Sequence, residues 1–151
     1  MKTNHQKYME EALLEAQKAY QSDEIPIGAV IVKEGIIIGR GHNTKETTQD
    51  VTQHAEINAI RNASSQLKNW HLDGCDLYVT IEPCAMCASA IIQSRIRNLY
   101  YGAKEPKTGS HVSKLMLFDQ KDQHQVNVYS GIEEDACRLL MSEYFKSKRV
   151  K

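Results

Sequence analysis

A chain of 151 residues with 41% hydrophobic content fits one compact domain with enough core to fold without disulfide staples. Nineteen basic residues balance nineteen acidic ones, which argues against a non-specific nucleic-acid binder and leaves any nucleic-acid contact to a local patch. The segment Met1–Lys7 has no apolar core, no stretch is long enough to span a bilayer, and four cysteines fit a reducing compartment, so a soluble cytoplasmic protein is expected.

Tyr8, Met9, Ala12, Leu13, Ala16, Ala19 and Tyr20 recur at helical spacing and predict an amphipathic first helix that ends before Glu24-Ile25-Pro26. Two runs rich in β-branched residues, 27–32 and 36–41, flank Lys33-Glu34-Gly35 and read as a hairpin with Gly35 supplying the turn. A helix is expected to start at His54 and run to about Ser64, followed by a strand over 77–81 that delivers Glu82-Pro83-Cys84 at its carboxyl end. Small and apolar residues from Cys84 to about Arg95 predict a buried helix whose first turn carries both Cys84 and Cys87. Strands over 98–103 and 125–129 follow, with a short helix around 115–118 between them. The chain closes with a helix over 132–146 whose apolar side is read as Leu139, Leu140, Tyr144 and Phe145. No repeat, low-complexity run or linker divides the chain, so residues 1–151 read as a single domain. The order α-β-β-α-β-α-β-α-β-α predicts an α/β fold, a sheet of about five strands covered by helices on both faces.

The chemistry is concentrated in His54-Ala55-Glu56 and Pro83-Cys84-Ala85-Met86-Cys87. One imidazole and two thiolates can hold zinc tetrahedrally and leave the fourth position to water, the ligand count of a catalytic zinc. Glu56, two residues after the histidine, is placed to serve as general acid and base. Thiolates at a helix N-terminus gain further from the positive end of the helix dipole. A lone C-x-x-C also marks structural zinc sites and redox pairs. A four-cysteine site would need a second pair, whereas Cys75 and Cys137 stand alone and read as small buried hydrophobes. The redox reading leaves His54, Glu56 and Pro83 unexplained, and a silent zinc-stabilised binding module has no use for Glu56.

The pattern H-x-E…P-C-x-x-C matches the known signature of the zinc nucleobase deaminases. Together with Glu24-Ile25-Pro26-Ile27-Gly28-Ala29-Val30, Gly41-His42-Asn43, Tyr78-Val79-Thr80-Ile81-Glu82, Ser94-Arg95-Ile96 and Tyr101-Gly102-Ala103, it resembles the bacterial tRNA-specific adenosine deaminases. The resemblance runs from about Tyr8 to Phe145. It implies the three-layer α/β/α cytidine-deaminase-like fold with a mixed five-stranded sheet, a homodimer, and conversion of the wobble adenosine of an arginine tRNA anticodon to inosine. It also implies His54, Cys84 and Cys87 as ligands of one zinc per chain and Glu56 as proton shuttle. Asn43 would hydrogen-bond the nucleoside, Ile27 would pack against the flipped base, and the backbone around Ala55, Glu82 and Cys84 would supply further polar contacts. Read without the resemblance, Asn43 is a turn-capping loop residue and Ile27 is ordinary core.

After Ala103 the chain departs from the family, reading Lys104-Glu105-Pro106-Lys107-Thr108-Gly109-Ser110-His111-Val112-Ser113-Lys114-Leu115, with Glu105 where Asp is usual and Val112 where Gly is usual. This loop borders the RNA groove in the family, which makes Lys104, Glu105 and Lys107 candidate substrate contacts. With Lys114 and the tail residues Lys146, Lys148, Arg149 and Lys151 it forms a basic set that is either a solvated face or a phosphate-binding one. The alternative to a tRNA anticodon stem-loop as substrate is a free base or nucleoside, guanine or cytosine, acted on at the same zinc site.

Overall fold

Thr3 starts the first helix, α1 (Asn4–Gln21), through a reciprocal cap. The Gln6 N–H donates to the Thr3 hydroxyl, and the Thr3 N–H donates to the Gln6 side chain, satisfying two donors that a bare helix end would leave orphaned. The computed structural model describes residues 1–149, so Lys151 of the basic set lies outside the described residues. Strands β1 (Gly28–Lys33) and β2 (Ile36–His42) form the expected hairpin. Both residues of its turn, Glu34 at φ 51° and Gly35 at φ 79°, are left-handed, the backbone that matches the twist of the flanking strands.

The remaining elements are α2 (Lys45–Thr48), α3 (Ala55–Leu67), β3 (Cys75–Ile81), α4 (Ala85–Gln93), β4 (Asn98–Ala103), a 3₁₀ turn at Leu117–Asp119, β5 (Asn127–Ser130) and α5 (Glu134–Arg149). The strands lie in the order β2-β1-β3-β4-β5. β1 runs antiparallel to both of its neighbours, whereas β3, β4 and β5 run parallel to one another. Alternate residues of each strand point to opposite faces. Ala29, Ile31, Leu77, Val79 and Leu99 join Ala59, Ala63, Ala88 and Ile91 of α3 and α4 in one buried cluster. Val30, Val32, Tyr78 and Tyr100 join Met9 and Ala12 of α1 and Cys137 of α5 in the other. The result is the three-layer α/β/α arrangement expected from the sequence, with Cys75 and Cys137 both buried as free thiols.

Gly41 lets α3 lie directly on the hairpin. A methyl group at this position would overlap the carbonyl of Ala55 and the N–H of Ala59, so the first turn of α3 is fixed against β2 by close backbone approach. The Asn58 side chain reinforces the seat by donating to the carbonyl of His42 at 2.8 Å.

Four sequence expectations need correction. Helix α2 is absent from the sequence pattern because its capping group is remote: the N–H groups of Glu46 and Thr47 and the Thr47 hydroxyl donate to the buried carboxylate of Glu24. The short helix is a 3₁₀ turn at 117–119, and β5 starts at Asn127 instead of Gln125. Helix α5 starts at Glu134, and of its expected apolar side only Tyr144 is buried, with Cys137 in place of the others. Cys137 packs into the core under the sheet and Tyr144 packs against the end of α1, edge-on to Tyr20 with its hydroxyl donating to the Asp23 carbonyl, while Leu139 and Phe145 are 58% and 40% exposed. The expected apolar face mixes two sides of this helix. No described helix is long and apolar enough to cross a membrane.

Candidate active site

His54 and Cys84 are the cap residues of α3 and α4, and neither side chain caps its own helix. Both are therefore free to turn toward each other, and Cys87 joins them from the first turn of α4. The His54 Nδ1 lies 3.6 Å from the Cys84 Sγ and 3.5 Å from the Cys87 Sγ, with all three donor atoms within 4.8 Å of one another. A tetrahedral ion with bonds of about 2.3 Å to sulfur and about 2.0 Å to nitrogen spaces its N and S ligands about 3.5 Å apart. The trio fits such an ion without rearrangement. Hydrogen bonding from Cys87 and His54 holds the Cys84 thiol well below the ordinary thiol range, while the same contact and burial push Cys87 up. Glu56, in the first turn of α3, is buried beside the trio, and that burial pushes its carboxyl up to about 7.

These groups meet at a cavity of about 170 Å³ lined by Ile27, Asn43, His54, Ala55, Glu56, Glu82, Cys84 and Glu105 among the residues expected from the sequence. Cys87 sits fully buried behind the wall. Lys104 and Lys107 do not line the cavity and are exposed. Asn43 is 5% exposed and lines the cavity, and its side-chain oxygen accepts from the Lys45 N–H at 3.4 Å, the turn-capping contact expected of it. Ile27 likewise both packs against the core and faces the cavity. The Glu105 carboxylate is partly used locally, accepting the Lys107 N–H at 3.0 Å.

The Glu82 side chain has a role that no sequence expectation assigns to it. It is turned into the loop that follows β4 and accepts the N–H groups of Glu105, His111, Val112 and Ser113 and the hydroxyl of Ser113. Burial alone would raise this carboxyl, but the hydrogen bonds from Ser113, Val112 and Glu105 outweigh it and hold it below the usual carboxylate range. The neighbouring Pro83 carbonyl accepts both the N–H and the hydroxyl of Ser110, at 2.9 and 2.7 Å.

Residues 3–146 match the MafB19-like deaminase family. A tRNA-specific adenosine deaminase of Agrobacterium fabrum is 47% identical over 144 residues, covering 95% of each chain. The chain belongs to the tRNA-specific adenosine deaminases. A structure solved in studies of A-to-I editing by tRNA:A34 deaminases superposes on this deaminase with a TM-score of 0.86 at 48% identity, over 89% of this chain and 98% of that one. A Bacillus subtilis guanine deaminase superposes less completely, with a TM-score of 0.64 at 41% identity over 68% of this chain and 66% of that one.

Sequence reasoning missed several cavity residues of the deaminase: Ile25, Lys45, Ile81, Thr108, Met141 and Phe145. Ile25 and Ile81 lie inside the motif blocks and look like ordinary framework. Met141 and Phe145 do carry a signal. Met141 continues the packed stripe of Cys137 and Tyr144 at i, i+4 and i+7, and Phe145, one turn on, lies at its edge; both line the cavity. Lys45 and Thr108 sit in connections whose paths depend on Glu24 and Glu82, and no local pattern announces them.

Proposed function

We propose that the protein converts the wobble adenosine of a tRNA anticodon loop, that of an arginine tRNA, to inosine, acting in the cytoplasm as a homodimer with one zinc ion per chain. The observation that carries the reading is the convergence of His54, Cys84 and buried Glu56 on one small cavity, with Cys87 completing the donor trio behind it. Two thiols and an imidazole suit zinc, and three protein donors leave a position open for chemistry. When bound, zinc supplies the Lewis acidity that activates a water for attack on C6 of adenine.

Every proton movement falls to Glu56. It takes one proton from the attacking water and delivers it to the ring nitrogen next to C6, then takes the second from the new C6 hydroxyl and passes it to the amine, which departs as ammonia as the C6 carbonyl forms. Asn43 and the backbone around Ala55 and Cys84 orient the base by hydrogen bonds, while Ile27 supplies an apolar wall against its face. The cavity is smaller than the roughly 300–1,000 Å³ of sites for drug-sized ligands, which suits one nucleobase swung out of its stack. An unpaired anticodon loop yields such a base at low cost. Exposed Lys104 and Lys107 stand outside the cavity, where phosphates flanking a flipped base would lie. Four free thiols suit a reducing cytoplasm.

The test is nucleoside analysis of an anticodon stem-loop incubated with the zinc-loaded protein, beside a control loop in which the adenosine is moved one position. Inosine at the wobble position alone supports the reading, and inosine in neither loop refutes it. The likeness to a guanine deaminase sustains a second reading, deamination of a free base at the same centre.

A further inference from the structure

The loop after β4 owes its path to a single carboxylate. Glu82 Oε1 accepts the Glu105 N–H at 3.1 Å and the Ser113 hydroxyl, and Oε2 accepts the successive N–H groups of His111, Val112 and Ser113 at 3.0, 3.0 and 3.1 Å. Consecutive N–H groups aimed at one point form a backbone nest for an anion, and here the chain fills the nest with its own side chain. Without it those donors would be orphaned, a cost that a refolded loop would avoid. Gly109 shows how closely the loop wraps the anchor, since a methyl group there would overlap the Glu82 carboxyl carbon. The loop held in this way contributes Glu105 and Thr108 to the cavity wall. Five donors also saturate the roughly four lone-pair sites of a carboxylate, which leaves Glu82 no capacity to exchange protons with a substrate.

We infer that Glu82 is a positioning residue that sets affinity for the substrate by holding residues 105–113 as one wall of the cavity, while Glu56 alone carries the proton chemistry. This deepens the proposed function and rests on it for the identity of the substrate. The anchor acts on binding and leaves the reacting atoms untouched. Its removal therefore raises KM and spares kcat, the mark of a loss of uniform binding.

The experiment compares Glu82→Gln and Gly109→Ala with the parent zinc-loaded protein. The second variant disturbs the same contact from the loop side, away from Cys84. Metal content, amide hydrogen exchange and steady-state kinetics on the anticodon stem-loop are measured on the same preparations. The expected result is retained zinc and exchange at least about tenfold faster at residues 105 and 111–113, with the sheet unchanged. KM rises about 10- to 100-fold, the range for groups that orient others, with kcat within about threefold. Unchanged loop exchange overturns the inference, and so does faster exchange with an unchanged KM. A fall in kcat or zinc at constant KM would instead make Glu82 part of the metal centre. If the parent protein leaves the stem-loop untouched, the proposed function fails on its own, and the same KM comparison is made on the free base that it does deaminate.

Discussion

Two walls of the cavity are built by different physics. On one side the N-termini of α3 and α4 carry His54, Glu56, Cys84 and Cys87, and their positions follow from local rules: a helix start, a three-residue spacing between thiols, and close backbone approach at Gly41. On the other side the 105–113 loop has no regular structure and depends on Glu82, 23 to 31 residues away in sequence. The first wall holds the groups that carry chemistry. The second shapes what can enter.

The largest effect that sharpens this contrast comes from the donors themselves. His54→Ala, Cys84→Ala or Cys87→Ala should abolish zinc binding by elemental analysis and with it all measurable turnover. Each should also lower unfolding stability by about 3 kcal/mol at metal concentrations near 100 Kd, the stabilisation that a bound ligand confers. Glu56→Ala comes next: it should keep one zinc per chain and the native melting profile while reducing kcat by about 10²- to 10⁴-fold. Loss of zinc in that variant would make Glu56 a ligand and merge the roles of metal binding and proton transfer.

Gly41→Ala tests whether the first wall is set by packing. The added methyl must displace the backbone of α3 at Ala55 and Ala59, which should cost about 1–3 kcal/mol in denaturant unfolding and disturb activity through His54 and Glu56. A neutral outcome would break the claim that close approach seats this helix.

Glu24 offers a milder perturbation of a wall held by a carboxylate. Hydrogen bonds from Thr47 and Glu46 overcome burial and hold Glu24 below its ordinary value of 4.5. The stability it contributes is therefore present above pH 4.5 and lost as pH falls through the lower folded value. Glu24→Gln should cost about 1–3 kcal/mol at pH 7, with the gap from the parent protein closing below pH 4.5. The smallest effect is electrostatic. Replacing Lys104 and Lys107 by Gln should flatten the salt dependence of RNA KM by up to about 0.7–0.9 log-log unit for each phosphate left unneutralised, with kcat unchanged.

The same contrast explains what could be read from the chain. The sheet, its flanking helices and the His54, Glu56, Cys84, Cys87 cluster were legible because period, turn and spacing are local signals. Helix α2 and the course of the 105–113 loop were not, since each is organised by one buried carboxylate whose partners are distant in sequence. The packed face of α5 departs from its hydropathy pattern for a related reason. Leu139 and Phe145 look like core by hydropathy, yet the buried positions are Tyr144, which the pattern includes, and Cys137, a small residue that it underweights. Phe145 thereby becomes cavity lining.

Ammonia release measured in parallel on an anticodon stem-loop, free adenosine, guanine and cytosine tests the central claim most directly, with Glu56→Ala as the blank for each substrate. The expected result is turnover of the stem-loop that vanishes in the blank, with the free bases left intact. Release from guanine or cytosine with the stem-loop untouched would contradict it.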